Sequence, residues 1–80
     1  MLVKLLEYLV AHVVNKPDKI RIEHIANPKI ELFYISVARD DLGRLVGRRG
    51  RTVEAIRTVM HAIATKLGKE AIVDVVSKSR

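Results

Sequence analysis

The strongest constraint on the fold is a G-x-x-G tetrapeptide, Gly47 to Gly50, that stands between two stretches of helical pattern. The apolar pair Leu45-Val46 precedes it, and two arginines occupy its middle positions. The glycines allow the main chain to turn sharply and to pass close to a sugar-phosphate strand, where a β-carbon would collide. The arginines add positive charge at the same place. The sequence therefore predicts a turn between two helices that can hold a phosphate backbone, aided by the free N–H groups of the second helix.

The composition fits one folded domain with an anionic partner. The 80 residues are 49% hydrophobic and 30% charged, which is enough apolar material for one small core. Lysine and arginine number 15 against 9 acidic residues, and the net charge of +6 favours a polyanion. Charge alone does not choose between a nucleic acid and an anionic membrane. The arginines favour a nucleic acid, because they cluster at the glycine loop and not along the polar face of one helix.

Several classes of site are disfavoured by residue types that are absent or isolated in the sequence. Cysteine is absent, which removes disulfides, thiolate catalysis and the common zinc frameworks. His12, His24 and His61 have no spacing typical of metal ligands. Asp40 and Asp41 could form a catalytic carboxylate pair, but helix capping explains them without a partner base. The loop also lacks the lysine and hydroxyl of a Walker A motif, so we expect no enzyme, no cofactor and no small-molecule substrate.

The N-terminal segment, residues 1–14, is apolar but is predicted to be an amphipathic helix. Lys4, Glu7 and His12 interrupt it, and no small-residue cleavage site follows. No apolar run approaches the ~20 residues that a membrane-spanning helix needs. We therefore expect a soluble, cytoplasmic protein that does not bind membranes.

Hydrophobic periodicity predicts a helix and two strands in the first half of the chain. The first helix is expected to stop at about Asn15 or Lys16, because Pro17 cannot continue it. Alternating residues at 20–24 predict a half-buried strand, and the Asn27-Pro28 pair predicts a turn. The run from Ile30 to Ala38 is largely apolar on both faces over its centre, which is typical of a central strand.

The second half is predicted to contain two helices around the loop and a final strand. Asp40 and Asp41 are expected to cap a short helix of about residues 41–46, which Gly47 ends. An apolar stripe then predicts a helix of about 25 Å that Gly68 closes. Residues 71–76 predict a last strand, before a frayed basic C-terminus at 78–80. The stripe consists of Val53, Ile56, Met60, Ile63 and Leu67.

The resulting order, αββααβ, with an apolar pair and G-x-x-G between two helices, resembles the K-homology (KH) domain of type II, the prokaryotic form. Three segments, Ile35 to Ala38, Asp41 to Gly50 and Ala55 to Val59, resemble the central block of the stand-alone bacterial KH proteins of the KhpA family. The similarity spans residues 1–77, which we expect to form a single KH domain. The resemblance implies an α+β fold with a three-stranded sheet packed against three helices, and a small non-enzymatic RNA-binding protein.

In the KH proteins that this chain resembles, a single strand of about four nucleotides lies between the G-x-x-G loop, its flanking helices and the sheet. Positive charge is concentrated at that place in this chain, because residues 39–57 contain six arginines and three acidic residues. The scarcity of aromatic residues argues against a base-stacking platform. The expected RNA-binding residues are Gly47, Arg48, Arg49, Gly50, Arg44, Arg51, Val46, Val53 and Arg57. The expected apolar floor of the groove is Val46, Val53 and Ile56, with Ile35 or Val37 from the strand.

The long helix also has a second row of small apolar residues, Ala55, Val59 and Ala62. Either the first helix packs across this row or the row mediates self-association, and the residues alone leave both open. The resemblance implies a homodimer or a heterodimer with a larger KH protein of the Jag type. Two hypotheses follow: an RNA chaperone or post-transcriptional regulator that grips single-stranded RNA, and a protein-interaction module whose RNA contact is incidental.

Overall fold

The computed structural model describes residues 1–76, so the predicted domain boundary at residue 77 and the frayed terminus at 78–80 lie outside it. The helices are α1 (Leu2–Ala11), α2 (Leu42–Val46) and α3 (Arg51–Lys66), and the strands are β1 (Arg21–Ala26), β2 (Ile30–Ser36) and β3 (Glu70–Val75). The predicted order αββααβ is confirmed. A three-stranded sheet packs against three helices, as in a type II KH domain. Within residues 1–76, none of the helices is both long enough and apolar enough to span a bilayer.

The sheet has the order β1-β2-β3, so the prediction that β2 is the central strand is confirmed. β1 runs antiparallel to β2, with Ile25 opposite Leu32. β3 runs parallel to β2, with Leu32 opposite Ile72. Parallel neighbours need a crossover connection, and here α2, the glycine loop and α3 form it. The loop is therefore held inside the connection between two paired strands.

The hydrophobic core lies between the helices and one face of the sheet. Phe33 and Ile35 of β2 are buried on that face, and the alternation of the strand places both side chains on the same side. The helices contribute apolar side chains at intervals of three to four residues, which is the spacing of a single helical face. The other core residues include Leu2, Leu6, Val10, Leu45, Met60, Ala64 and Val73.

Helix α1 ends at Ala11, before the predicted end at Asn15 or Lys16. The backbone N–H groups of Asn15 and Lys16 donate to the carboxylate of Asp41, at 3.1 and 2.9 Å. A continued helix would need the same N–H groups for its own carbonyls. The chain therefore leaves the helix several residues before Pro17, because a distant side chain binds its backbone.

The prediction that Asp40 and Asp41 cap α2 is wrong, since neither carboxylate makes a capping hydrogen bond to this helix. Asp41 is 2% exposed and its carboxylate binds the segment after α1. Asp40 lies at the surface, where its carboxylate accepts a hydrogen bond from Lys16 Nζ at 3.1 Å. A 3₁₀ turn at Arg39–Asp41 leads directly into α2. Both carboxylates of this turn accept hydrogen bonds from the segment that follows α1.

Candidate nucleic-acid interface

The glycine loop has a backbone that L-residues seldom adopt. Gly47 has φ 79° and ψ 172°, Arg49 has φ 58° and ψ 27°, and Gly50 has φ 75° and ψ 13°. The N–H of Gly50 donates to the Gly47 carbonyl oxygen at 3.1 Å and closes the turn. Arg49 in the left-handed region costs roughly 1 kcal/mol that a glycine would not. The side chains of Arg48 and Arg49 are both exposed in this turn.

The two glycines are needed for different reasons. A β-carbon on Gly47 would lie 2.2 Å from Oγ1 and 2.7 Å from Cβ of Thr52, closer than any real contact. Gly47 therefore allows the loop to pack against the first turn of α3. A β-carbon on Gly50 would meet no atom within 4 Å, so only its positive φ favours glycine there. Thr52 was not among the site residues predicted from the sequence. Its position two residues after Gly50 is the signal that could have identified it.

The five predicted arginines fall into two groups. Arg44 lies with its Nε 3.5 Å from Asp41 Oδ1. Arg57 is bound by its own fold, because it donates to the Val73 carbonyl oxygen and pairs with Glu54. The remaining three are exposed and make no hydrogen bond or ion pair with any residue of the described range 1–76. These are Arg48, Arg49 and Arg51.

The acidic residues near the loop are occupied by other partners. Glu54 pairs with Arg57 on α3. The Lys16 ammonium, as hydrogen-bond donor, holds the pKa of Asp40 below its ordinary value. Asp41 is buried among the N–H groups described above. The uncompensated charge of this region is therefore the cationic charge of the three exposed arginines.

The start of α3 adds to this positive potential. The helix begins at Arg51 with Gly50 as its N-cap, and no side chain caps the free N–H groups. Uncapped N–H groups and the positive end of the helix dipole favour an anion, worth about 0.3–1 kcal/mol for each exposed charge. The helix dipole and the loop arginines therefore both favour an anion at the start of α3.

The apolar residues predicted for the groove floor are not equally accessible. Val53 and Ile56 are only 5% and 6% exposed, and Ile35 is fully buried in the core. Val46 and Val37 are half-buried and keep accessible surface. Of the residues predicted to bind RNA, the loop residues Gly47 to Gly50 and Arg51 lie consecutively, Val53 is buried, and Arg44 and Arg57 interact with other groups of the fold.

Comparison with known proteins places the chain in one family. The model of the family described as "KhpA/KhpB, KH domain" matches residues 3–75. A relative from Leifsonia xyli subsp. xyli is 40% identical over 76 residues, which cover 95% of this chain and 97% of the relative. A relative from Clostridium acetobutylicum is 32% identical over 73 residues, covering 91% of this chain and 97% of the relative. Both are named RNA-binding protein KhpA.

A third relative of the same name, from Chlamydia pneumoniae, is 33% identical over 61 residues, covering 76% of this chain and 78% of the relative. No solved structure gives a significant match. The family match covers both helices that flank the glycine loop and all three strands. The chain belongs to the KhpA/KhpB family of KH-domain proteins.

Proposed function

We propose that this chain is a non-enzymatic RNA-binding protein that holds single-stranded RNA with the loop from Gly47 to Gly50. One observation carries the proposal: three exposed arginines without partners in residues 1–76 lie within or directly after a strained glycine turn at the uncapped start of a helix. Relatives named as RNA-binding proteins support the choice of ligand. The role that fits a small binding module of this kind is that of an RNA chaperone or post-transcriptional regulator.

The proposed ligand is a single strand, because the G-x-x-G loop of KH domains clamps the backbone of about four unpaired nucleotides. Contact with about three phosphates predicts a slope of about −2 for log K against log salt concentration, since each neutralised phosphate of a single strand contributes roughly −0.7. Affinity for one domain is therefore modest, and sequence preference is loose.

The test replaces both loop arginines, Arg48→Asp and Arg49→Asp, and measures binding to a fluorescent single-stranded RNA of mixed sequence at several salt concentrations. Binding is expected to be lost, while the thermal midpoint stays nearly unchanged, because both side chains are exposed. The matched control is Lys4→Asp with Lys19→Asp, two exposed cations outside the loop that give the same change in net charge. Retained binding in the loop variant, or equal loss in the control, contradicts the proposal.

We also propose that the row Ala55, Val59 and Ala62 is a partner surface, for a second copy of this chain or for a larger KH protein of the Jag type. All three residues are exposed, and Val59 is 39% exposed, so α1 does not pack across them. Of the two readings of this row that the sequence left open, the exposure favours association. Two linked copies would raise the avidity for RNA without new contacts.

The variant Ala62→Asp tests this surface by light scattering and by RNA binding. A charge at the C-terminal end of the row is expected to give a monomer whose single site binds RNA as before but with lower avidity on long RNA. His61→Asp is the matched control, because it places the same charge about 100° around the same helix. A wild-type protein that is monomeric at high concentration would contradict the homodimer, and mixing with a Jag-type KH protein would then test the heterodimer.

A further inference from the structure

The sheet face that points away from the helices is apolar at its centre and open to solvent. The strand register places Ile25, Leu32 and Ile72 side by side across all three strands. Ile25 and Ile72 are 51% and 40% exposed. Ile30 and Tyr34, the neighbours of Leu32 on this face of β2, are only half-buried. This open sheet face is thus a continuous apolar strip, of a kind that marks contact surfaces on small proteins.

Carboxylates border this strip. Glu23 and Asp74 lie on either side of Tyr34 in the register, and Glu70 lies opposite Ile30. Glu23 and Glu70 are exposed and make no ion pair with any residue between 1 and 76. The Oδ1 atom of Asp74 lies 3.7 Å from Nη2 of Arg57.

Arg21 lies on the same face but forms no ion pair with Glu23 or Glu70. Arg21 turns its guanidinium back to the carbonyl oxygens of Asp18 and Ile20, at 3.1 and 2.9 Å. The open sheet face is therefore acidic at its border, although the chain as a whole carries a net charge of +6. This surface therefore carries a charge opposite to that of the cationic glycine loop.

The charge of the border determines which kind of molecule can bind the apolar strip. RNA is repelled by Glu23 and Glu70, because phosphates and carboxylates carry the same charge. A second copy stacked face to face would bring the same carboxylates against each other, and like charges at an interface are unfavourable. A protein segment with an apolar side and flanking cations meets both features of the face.

We propose that the open sheet face docks a cationic amphipathic helix of a partner protein. The apolar side of that helix lies on Ile25, Leu32 and Ile72, and its lysines or arginines face Glu23 and Glu70. The crossover that contains the glycine loop runs on the opposite side of the sheet, so this partner and RNA can be bound at the same time. This surface is also separate from the row on α3.

The test titrates the ¹⁵N-labelled protein with a synthetic helix of leucine and lysine, about 18 residues long so that it is stably helical. Its matched control has glutamate at every lysine position. The lysine peptide is expected to shift the amide signals of β1, β2 and β3 and to leave those of residues 47–50 unchanged. Signals that move mainly at the loop or on α3, or equal binding of the glutamate peptide, would overturn the proposal.

Two sets of variants identify the contact. Glu23→Lys with Glu70→Lys reverses the border charge at exposed positions and is expected to weaken binding of the lysine peptide roughly tenfold at low salt. Ile72→Asp, on the edge strand, is expected to abolish it, while Tyr8→Asp, at an exposed position of α1, leaves it unchanged. If the border variant binds as tightly as the wild type, the charge argument fails. If a substitution in the sheet instead converts a homodimer into monomers, this face binds a second copy of the chain and the proposal is wrong.

Discussion

The Nε atom of Arg57 donates a hydrogen bond to the carbonyl oxygen of Val73 at 2.8 Å, and this bond joins α3 to the edge of the sheet. β3 is an edge strand, so this carbonyl has no strand partner on its outer side. The same guanidinium also pairs with Glu54 and approaches Asp74. An arginine predicted to contact RNA is therefore already engaged within the fold.

Replacing Arg57 is expected to lower stability more than replacing Arg51. Arg57→Ala leaves the Val73 carbonyl without its donor and should lower the free energy of unfolding by about 1–2 kcal/mol. Arg51→Ala removes an exposed side chain and should change it by less than about 0.5 kcal/mol, while weakening RNA binding. Urea unfolding and RNA titration of both variants measure the contrast. Equal stability of the two variants would show that the Arg57 contact contributes nothing.

The two loop glycines should differ in their tolerance of substitution. Gly50→Ala adds only the cost of a positive φ, about 1 kcal/mol, because its β-carbon meets nothing. Gly47→Ala adds a collision with Thr52 and should cost about 2–4 kcal/mol in unfolding free energy. Thr52→Ala should rescue Gly47→Ala only in part, because the backbone nitrogen of Thr52 would still lie 2.8 Å from the new carbon. Equal losses for the two glycine variants would contradict the packing argument.

Asp41 should matter far more than its neighbour Asp40. Asp41→Ala leaves the N–H groups of Asn15 and Lys16 without their acceptor and should destabilise the protein by about 2–4 kcal/mol. Asp41→Asn keeps one acceptor oxygen and should lose less. Asp40→Ala removes only an exposed pair and should leave the denaturation midpoint unchanged. Denaturant titration of the three variants measures this order, and a harmless Asp41→Ala would refute it.

Stability should fall in acid because of Glu31. This carboxylate is 7% exposed, and both Lys69 Nζ and His24 Nε2 lie 2.7 Å from its oxygens. The hydrogen bond from Lys69 is the main cause that lowers the Glu31 pKa below its ordinary value of 4.5, against the opposing effect of burial. Because the folded-state pKa is lower than the unfolded one, the stabilisation is complete above pH 4.5 and is lost as the pH falls through the folded-state pKa.

Urea unfolding of the wild type and of Glu31→Gln between pH 6 and pH 3 measures this dependence. The wild type should lose more stability over that range, because the amide variant has no proton to take up at this position. Glu7→Gln, at an exposed position on α1, is the control and should follow the wild type. Parallel curves for wild type and Glu31→Gln would rule out this carboxylate as a source of acid sensitivity.

Local patterns in the sequence predicted the order of helices and strands, and the resemblance to a KH domain implied how the sheet and helices pack. The apolar run from Ile30 to Ala38 predicted the central strand, and the apolar stripe included Met60 of α3, which is fully buried. Interactions between distant positions could not be predicted. Asp41 binds backbone groups 25 and 26 residues earlier in the chain, so a capping argument based on its neighbours chose the wrong partners.

The candidate site shows the same division between local and distant information. The glycine turn and its exposed arginines follow from four consecutive residues. The pairing of Arg57 with Glu54 follows a local i, i+3 spacing, but its hydrogen bond to the Val73 carbonyl oxygen, 16 residues away, does not. The support that Thr52 gives to Gly47 depends on the exact turn of the loop, which spacing does not specify.

The position of the glycine loop inside the connection from β2 to β3 has a practical consequence. Both ends of the loop are fixed in the same core, so global unfolding of the domain also destroys the loop. Any ligand held by the loop is therefore linked to unfolding of the entire domain and raises its Tm as the ligand concentration increases. A simple thermal-shift scan reports occupancy of this loop, without a label on either molecule.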